Sequence, residues 1–474
     1  MPDIPLTITD AAALIRSGEL TSVALTEACF AAADALDEQL GVYIKRYDAT
    51  ALAAAAAADA ELAAGTDKGL LHGIPIGIKD IIACSESETT AQSVVYDPGF
   101  YRSAGGGHRD APVVERLRGA GAVITGKLTT MEYACGLPDP SKPYPVPRNP
   151  WDTTTWPGGS SSGSGAGVAA GLFLGALGTD TGGSVRMPAA FCGITGMKQP
   201  YGLVPKAGCL PLGVTLDHIG PMTRSAADAA AMLKVMAGYD RSDPSMPPGI
   251  AGADYPAALT GDLTGMTIGV DRVNHLGVPG EDPMLATRLD EAVAALEAAG
   301  ATVVDVTLPM YAELTTACMV TMCVEAFAFH RGWMAERWED YGFGMRSFVG
   351  IGATYTAADY AQAQKVRRIG MAKLRELLGT VDLLAMPTAA SGAPPLEGIS
   401  VASFIDVIFT PYWNPVGCPV LALPMGPGES GLPLSLSIAG KPFADALVFK
   451  AGDALQRHTG HHLATPPVMA GAGA

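Results

Sequence analysis

Stretches in which apolar residues recur at helical spacing alternate, along much of the chain, with short and almost wholly apolar runs. Helical spacing covers residues 10–17, where Gly18 stops it. It resumes over residues 22–36 behind Thr21, a residue suited to cap a helix N-terminus. Residues 51–64 are alanine-rich and of high helix propensity. The run Gly73-Ile-Pro-Ile-Gly-Ile-Lys-Asp80 then predicts a short buried strand. Residues 110–120 predict a helix that passes through Gly121 into a strand over 122–125. The same helix–glycine–strand order recurs at 285–299 and 300–307. Residues 266–270 and 381–386 predict two more core strands. Such alternation predicts an α/β fold, with a large mixed, mostly parallel β-sheet covered by helices on both faces.

No internal repeat interrupts this order. Residues 240–262 are rich in Pro, Gly and Asp and predict a surface excursion, but apolar segments resume on both sides of it. One domain over 1–474 is therefore expected, with a core at about 70–230, a variable helical and loop insertion at about 240–375, and the rest of the core at about 376–465. The last ten residues are expected to fray. With 48% hydrophobic and only 16% charged residues, the chain can build a large core and does not resemble a disordered one. The net charge of −16 argues against nucleic acid or an anionic membrane surface as a partner. No basic-then-apolar leader and no apolar run of membrane-spanning length is visible. Eight cysteines without a CxxC pair read as reduced thiols of a cytoplasmic protein. The eight histidines form no HExxH, and His461-His462 lie in a polar tail, so neither metal nor cofactor is expected.

Candidate chemistry concentrates in residues 158–184, where ten of 27 positions are glycine and five are serine. That is too much glycine for an ordinary helix or strand. A flexible linker would have this composition too, but Val168-Ala-Ala-Gly-Leu-Phe-Leu174 and Val185-Arg-Met-Pro188 break the polar run with core-type residues. The segment reads instead as bare backbone and hydroxyls arranged around a ligand. A serine needs a base before it can act as a nucleophile. No histidine sits in the segment, and the nucleophile elbow of α/β-hydrolases is not expected there. The candidate base is Lys79, which ends an apolar strand where desolvation would favour a neutral amine; the plain alternative is a lysine paired with Asp80. Gly121-Ala-Val-Ile-Thr-Gly-Lys127 matches the phosphate-binding GxxxxGK, but Leu128 stands where magnesium needs a hydroxyl, and the segment reads as a strand. Gly163-Ser-Gly-Ala-Gly167 lacks the strand that a dinucleotide loop requires before it.

Several motifs in order resemble the amidase signature family of serine hydrolases. They are Gly73-Ile-Pro-Ile-Gly-Ile-Lys79-Asp, Gly126-Lys-Leu-Thr-Thr-Met-Glu-Tyr-Ala134, Arg148-Asn-Pro-Trp-Asp152, Pro157-Gly-Gly-Ser160-Ser and Gly178-Thr-Asp-Thr-Gly-Gly-Ser184-Val-Arg. Phe191-Cys-Gly-Ile-Thr-Gly-Met-Lys198, Leu216-Asp-His-Ile-Gly-Pro-Met-Thr-Arg224 and Asn414-Pro-Val-Gly-Cys-Pro419 continue the resemblance, which spans about residues 5 to 465. It implies the amidase signature fold and a Ser–cis-Ser–Lys triad, with Ser184 as nucleophile, Ser160 as bridge and Lys79 as base. Neutral Lys79 would draw a proton from Ser160 as Ser160 draws one from Ser184. The backbone N–H groups of Thr181, Gly182, Gly183 and Ser184 would form the oxyanion hole. The sequence departs from the family pattern at Ser162, where glycine is usual, and at Ser437, where glutamine is common; both bear on pocket shape.

The function so implied is hydrolysis of amides of small and fairly apolar or aryl substrates through an acylated serine, with esters and carbamates as further candidate substrates. The stretches Val324-Glu-Ala-Phe-Ala-Phe-His330 and Phe409-Thr-Pro-Tyr-Trp413 are expected near the pocket, as are loops within 84–108, 136–147 and 310–355. A second reading is the glutaminase component of a tRNA-dependent glutamyl/aspartyl amidotransferase, its A subunit, in which Arg367 and Asp406 would hold the charges of a free amino acid. A third is a non-catalytic binding protein on this fold, against which the intact Lys79, Ser160 and Ser184 argue. A homodimer is the default expectation for a large cytosolic enzyme.

Overall fold

Capping side chains place the first helices where the sequence predicts them. Thr7 accepts from the Asp10 N–H at the start of the helix Ile8–Ser17, which Gly18 closes in the left-handed region; Thr21 does the same for Ser22–Leu40 through the Ala24 N–H. The alanine-rich segment is the helix Asp48–Ala63. The computed structural model describes residues 5–102, 107–400, 404 and 407–471.

The strands are β1 (Tyr43–Arg46), β2 (Pro75–Lys79), β3 (Val123–Leu128), β4 (Gly175–Asp180), β5 (Thr195–Lys198), β6 (His218–Thr223), β7 (Thr267–Asp271), β8 (Thr302–Val306), β9 (Leu383–Pro387), β10 (Val420–Pro427) and β11 (Pro433–Gly440). Among the described residues they form one sheet in the order β1-β3-β2-β4-β6-β5-β10-β11-β9-β7-β8. The sheet is mixed, as expected, and its parallel character is concentrated in two flanks. β3, β2 and β4 run parallel on one side, and β9, β7 and β8 on the other. Antiparallel ladders join these flanks through β6, β5, β10 and β11, and β1 adds an antiparallel edge. The strands legible in the sequence (β2, β3, β7, β8 and β9) all belong to the parallel flanks, whose sixth strand, β4, lies in the glycine-rich segment and was not expected.

Alternate residues of the central strands enter different cores. Leu421 and Leu423 join the core built with the helices Ala226–Met236, Leu285–Ala298 and Asp445–Thr459; Ala422 between them joins the core built with Ser162–Ala169 and Arg186–Cys192. Helices thus cover both faces. The glycine-rich segment departs from expectation, because it holds a regular helix, Ser162–Ala169, and the strand β4, both fully buried. Close packing is the reason. A Cβ on Gly163 would lie 2.6 Å from Thr129 Oγ1, and one on Gly167 would lie 2.1 Å from the Phe173 ring. The glycines let this helix settle onto its neighbours, and burial offsets their entropic cost.

Between β8 and β9 run the helices Tyr311–Arg337, Phe343–Gly352 and Ala357–Leu378. The first is long and apolar enough to pass a length-and-composition test for a membrane span, with mean hydropathy 1.4. It packs against the other two, and its Glu325 bonds to Thr215 and Tyr360. The expected frayed tail is partly ordered. Pro467–Gly471 is helical and Met469 Sδ lies 3.8 Å from Arg224 Nη2; residues 472–474 fall outside the described part.

Candidate active site

β2 and β4 are parallel neighbours, so Lys79 at the end of β2 comes beside Thr179 near the end of β4. Lys79 is fully buried. Its Nζ lies 2.7 Å from Ser160 Oγ, 2.7 Å from Thr179 Oγ1 and 3.0 Å from Ser161 Oγ. The Gly159–Ser160 peptide is cis. Among the described residues no carboxylate pairs with Lys79. Asp80 turns instead to Lys127, 3.0 Å away, which settles the pairing alternative and also accounts for the lysine of the GxxxxGK match as part of β3. Burial without a counter-ion lowers the Lys79 pKa to about 7, against the opposing pull of Cys209, Asp180 and Asp217.

The loop after β4 carries Ser184 and is anchored on Asp180. Arg186 grips that carboxylate with two bonds, Nε to Oδ2 and Nη2 to Oδ1, each 2.9 Å. Asn414 Nδ2 and the Gly183 N–H donate to Oδ1, both at 2.8 Å. Arg186 also holds the Thr410 carbonyl and Asn414 Oδ1. Burial pushes the Asp180 carboxyl up, but the guanidinium overcomes this and holds it well below the carboxylate range. Gly183 has φ +132°, and a Cβ there would meet Thr410 Oγ1 at 1.9 Å, so only glycine fits. Of the four N–H groups expected to face an oxyanion, that of Gly183 is therefore engaged by Asp180. Those of Thr181, Gly182 and Ser184 donate to no acceptor among the described residues. The Ser161 N–H bonds to the Ser184 carbonyl at 3.3 Å and ties the two serine segments together.

Ser160, Ser184 and Gly182 open onto one cavity of about 590 Å³. Its walls are largely apolar, with Met131, Trp156, Met319, Met322, Phe348 and Phe404 foremost. Gly136 and the residues from the 310–355 region lie where the wall loops were expected, whereas no described residue of 84–108 takes part. Placement of the two aromatic stretches needs correction. Residues 324–330 do not line the cavity, and Phe329 and His330 pack around Tyr133 instead. The second stretch contributes Pro411, while Phe409 sits on His275 at 4.7 Å. Helical phase explains the first miss, because Met319 and Met322 occupy the inward face one to two turns earlier. Arg367 is occupied elsewhere, bonding the Pro415 carbonyl at 2.6 Å and the Thr215 carbonyl at 3.0 Å. Asp406 lies outside the described residues. Neither sequence departure reaches the cavity. Ser162 Oγ donates to the Gly158 carbonyl at 2.6 Å, and Ser437 Oγ lies 2.9 Å from Thr388 Oγ1.

Reading the sequence did not assign Thr179, Ser161, Asp180, Arg186 and Asn414 a place in the site. Each lay inside a quoted motif, but only the fold shows what it touches.

Known proteins share this sequence and fold over nearly their whole length. The Amidase family model matches residues 24–449. The A subunit of glutamyl-tRNA(Gln) amidotransferase from Chloroflexus aurantiacus is 39% identical, over 98% of this chain and 99% of its own. A putative amidase, AmiD, of Mycobacterium tuberculosis is also 39% identical, over 98% of this chain and 96% of its own. The crystal structure of native peptide amidase from Stenotrophomonas maltophilia superposes with a TM-score of 0.83 at 31% identity, covering 97% of this chain and 98% of that one. A family match across nearly the whole chain, carried by a fold that superposes end to end, makes this protein a member of the amidase family, an enzyme that hydrolyses carbon–nitrogen bonds of linear amides.

Proposed function

We propose that the protein is a stand-alone amidase acting on small amides with an apolar or aryl acyl group through an acylated Ser184, with Ser160 as proton bridge and Lys79 as base. The observation that carries this reading is the hydrogen-bond geometry at Lys79 Nζ. Ser161 Oγ donates to the Thr179 carbonyl at 3.2 Å and accepts from the Thr179 N–H at 3.1 Å, so toward Lys79 it is an acceptor. A neutral amine has two N–H groups and one lone pair. With Ser161 and Thr179 accepting the two N–H bonds, the lone pair is left for Ser160. Ser160 can then pass its proton to Lys79 and take that of Ser184, whose Oγ attacks the amide carbon. The returning proton reaches the departing nitrogen as the C–N bond breaks, and water then releases the acid. The N–H groups of Thr181, Gly182 and Ser184, which donate to no acceptor among the described residues, would receive the developing oxyanion; Gly183 would serve by fixing the loop through Asp180.

One observation favours this reading over the amidotransferase component, to which similarity is equally high. A free amino acid brings an ammonium and a carboxylate, and no charged side chain lies among the described residues lining the cavity. Arg367, the candidate for the carboxylate, is committed to Pro415 and Thr215. Cytoplasmic location belongs to the same proposal, in keeping with eight free cysteines. The test is turnover by the purified chain on glutamine, a short aliphatic amide, a fatty amide, an anilide, a nitrophenyl ester and an aryl carbamate, beside Ser184→Ala. Serine-dependent cleavage of the apolar or aryl members is expected. Glutaminase activity that needs a partner protein, with silence on the others, would overturn the reading.

A further inference from the structure

The helix Phe343–Gly352 walls the catalytic cavity with Phe348, and its outer side carries Phe343 and Ile351, 72% and 47% exposed. Met345, Phe348 and Val349 are buried beneath it. A helix that closes a cavity on one side and meets water on the other is positioned by the contacts beneath it and at its ends.

Those end contacts are close and of definite kinds. A Cβ on Gly352 would lie 2.1 Å from the Cys323 carbonyl oxygen, so the C-terminal end rests directly on the long helix Tyr311–Arg337. At the N-terminal end two backbones meet. A Cβ on Gly136 would lie 2.7 Å from the Gly344 carbonyl carbon, and one on Gly344 would lie 2.7 Å from the Leu137 nitrogen. Beside that contact stands Glu132, only 8% exposed. Its Oε2 accepts at 2.7 Å from the N–H of Gly342, which immediately precedes the helix. Its Oε1 accepts from Ser93 Oγ at 2.5 Å, and Ser93 Oγ accepts in turn from the Val95 N–H at 3.0 Å. Lys142 Nζ adds a bond to the Asp340 carbonyl at 2.8 Å, nearer the surface.

Glu132 is not itself a wall residue. It lies in the short turn that follows Met131, and Met131, Ala134, Cys135 and Gly136 are the residues of this segment that line the cavity. One turn thus presents one side of the cavity and, through a buried carboxylate, grips the helix that presents another. Without the carboxylate the Gly342 N–H would be buried with no acceptor, and the start of the helix would move outward to reach water. Phe348 lies less than two turns along, so its part of the wall would move as well.

Resting on the acyl-enzyme reading above, we propose that Glu132 is a positioning residue that sets how bulky an acyl group the cavity admits. With the helix held, Phe348 selects for compact acyl groups; with it released, wider ones enter. Glu132 makes and breaks no bond in the reaction, and the chemistry at Ser184 stays as proposed.

The test uses 4-nitroanilides that share one leaving group and differ in the acyl group, benzoyl against 2-naphthoyl, with kcat and KM read from release of 4-nitroaniline. Glu132→Ala should raise the naphthoyl-to-benzoyl ratio of kcat/KM about tenfold, within the range by which a fitted apolar pocket separates close analogues. For benzoyl the change should fall on KM with kcat largely kept, because Lys79, Ser160 and Ser184 are untouched. Glu132→Gln should restore the natural ratio, its Oε1 accepting from Gly342 and its Nε2 donating to Ser93 Oγ. Gly344→Ala pushes the helix off Leu137 without touching Glu132. It should move the ratio the same way, and it decides the matter should Glu132→Ala not fold. A ratio unchanged in both variants, or one that Glu132→Gln fails to restore, overturns the proposal. An equal loss of kcat on both substrates, the mark of a merely structural role, overturns it too. Ser184-dependent release by the natural chain in those cases leaves the proposed function standing, and its absence on both substrates removes both.

Discussion

Two lysines on neighbouring parallel strands, Lys79 on β2 and Lys127 on β3, are both fully buried, and their partners set them apart. Lys127 faces the Asp80 carboxylate at 3.0 Å, the Ile82 carbonyl at 2.5 Å and Thr89 Oγ1 at 3.0 Å. Lys79 faces three hydroxyls and no carboxylate. A counter-ion offsets the cost of burying a cation; at Lys79, which has none, burial lowers the pKa to about 7, as the proposed role of base requires. The residue next in sequence to Lys79 is the counter-ion of Lys127, so one short segment makes both environments. The Asp180–Arg186–Asn414 cluster repeats the lesson, since a saturated ion pair supplies rigidity and leaves reactivity to the unpaired group beside it.

The comparison can be broken in steps of decreasing size. Lys79→Ala should lower kcat/KM on an amide by on the order of 10³-fold, read by steady-state kinetics, while circular dichroism shows the fold retained. Asp80→Asn should leave Lys127 buried without its carboxylate and cost about 3–5 kcal/mol in denaturant unfolding, with the activity of the remaining folded enzyme largely kept. Lys79→Met should raise the melting temperature by about 3 °C at pH 7. The sign follows from linkage. The folded Lys79 loses its proton near pH 7 and the unfolded one near 10.5, so between these values unfolding takes up a proton and stability rises with pH. The gain from removing Lys79 is therefore full below pH 7 and fades toward pH 10.5. Ser162→Gly should change stability by less than about 1 kcal/mol and leave kcat/KM unaltered, because that hydroxyl bonds the Gly158 carbonyl away from the cavity.

Much of this was legible before the fold was known, and unevenly so. Periodicity located the helices Ile8–Ser17, Ser22–Leu40, Asp48–Ala63, Pro112–Gly119 and Leu285–Ala298 and five of the six strands of the parallel flanks, of which β2, β3, β7 and β9 are largely buried and read as nearly continuous apolar runs. It passed over β5, β6, β10 and β11, whose short or Pro- and Gly-broken segments carry no clean period of two. It also passed over the helix Ser162–Ala169, whose glycines make sense only beside Thr129 and Phe173. Lys79 stood out because an apolar strand ended on it. Ser160 and Ser184 entered through the family resemblance, and nothing in one dimension could show that Gly183 would spend its N–H on Asp180 or that Arg367 would be tied to Pro415. Such facts depend on how chain segments far apart in sequence meet in the fold.

The central claim is that the unpaired Lys79 is the base, and the pH dependence of acylation tests it most directly. The first-turnover rate on an amide substrate is measured from pH 5 to 9 for the natural chain and for Lys79→Ala. The predicted result is a rate that climbs about tenfold per pH unit to a plateau above about 7 in the natural chain, and a low profile without that inflection in the variant. The same inflection near 7 in Lys79→Ala would contradict it and place the base elsewhere.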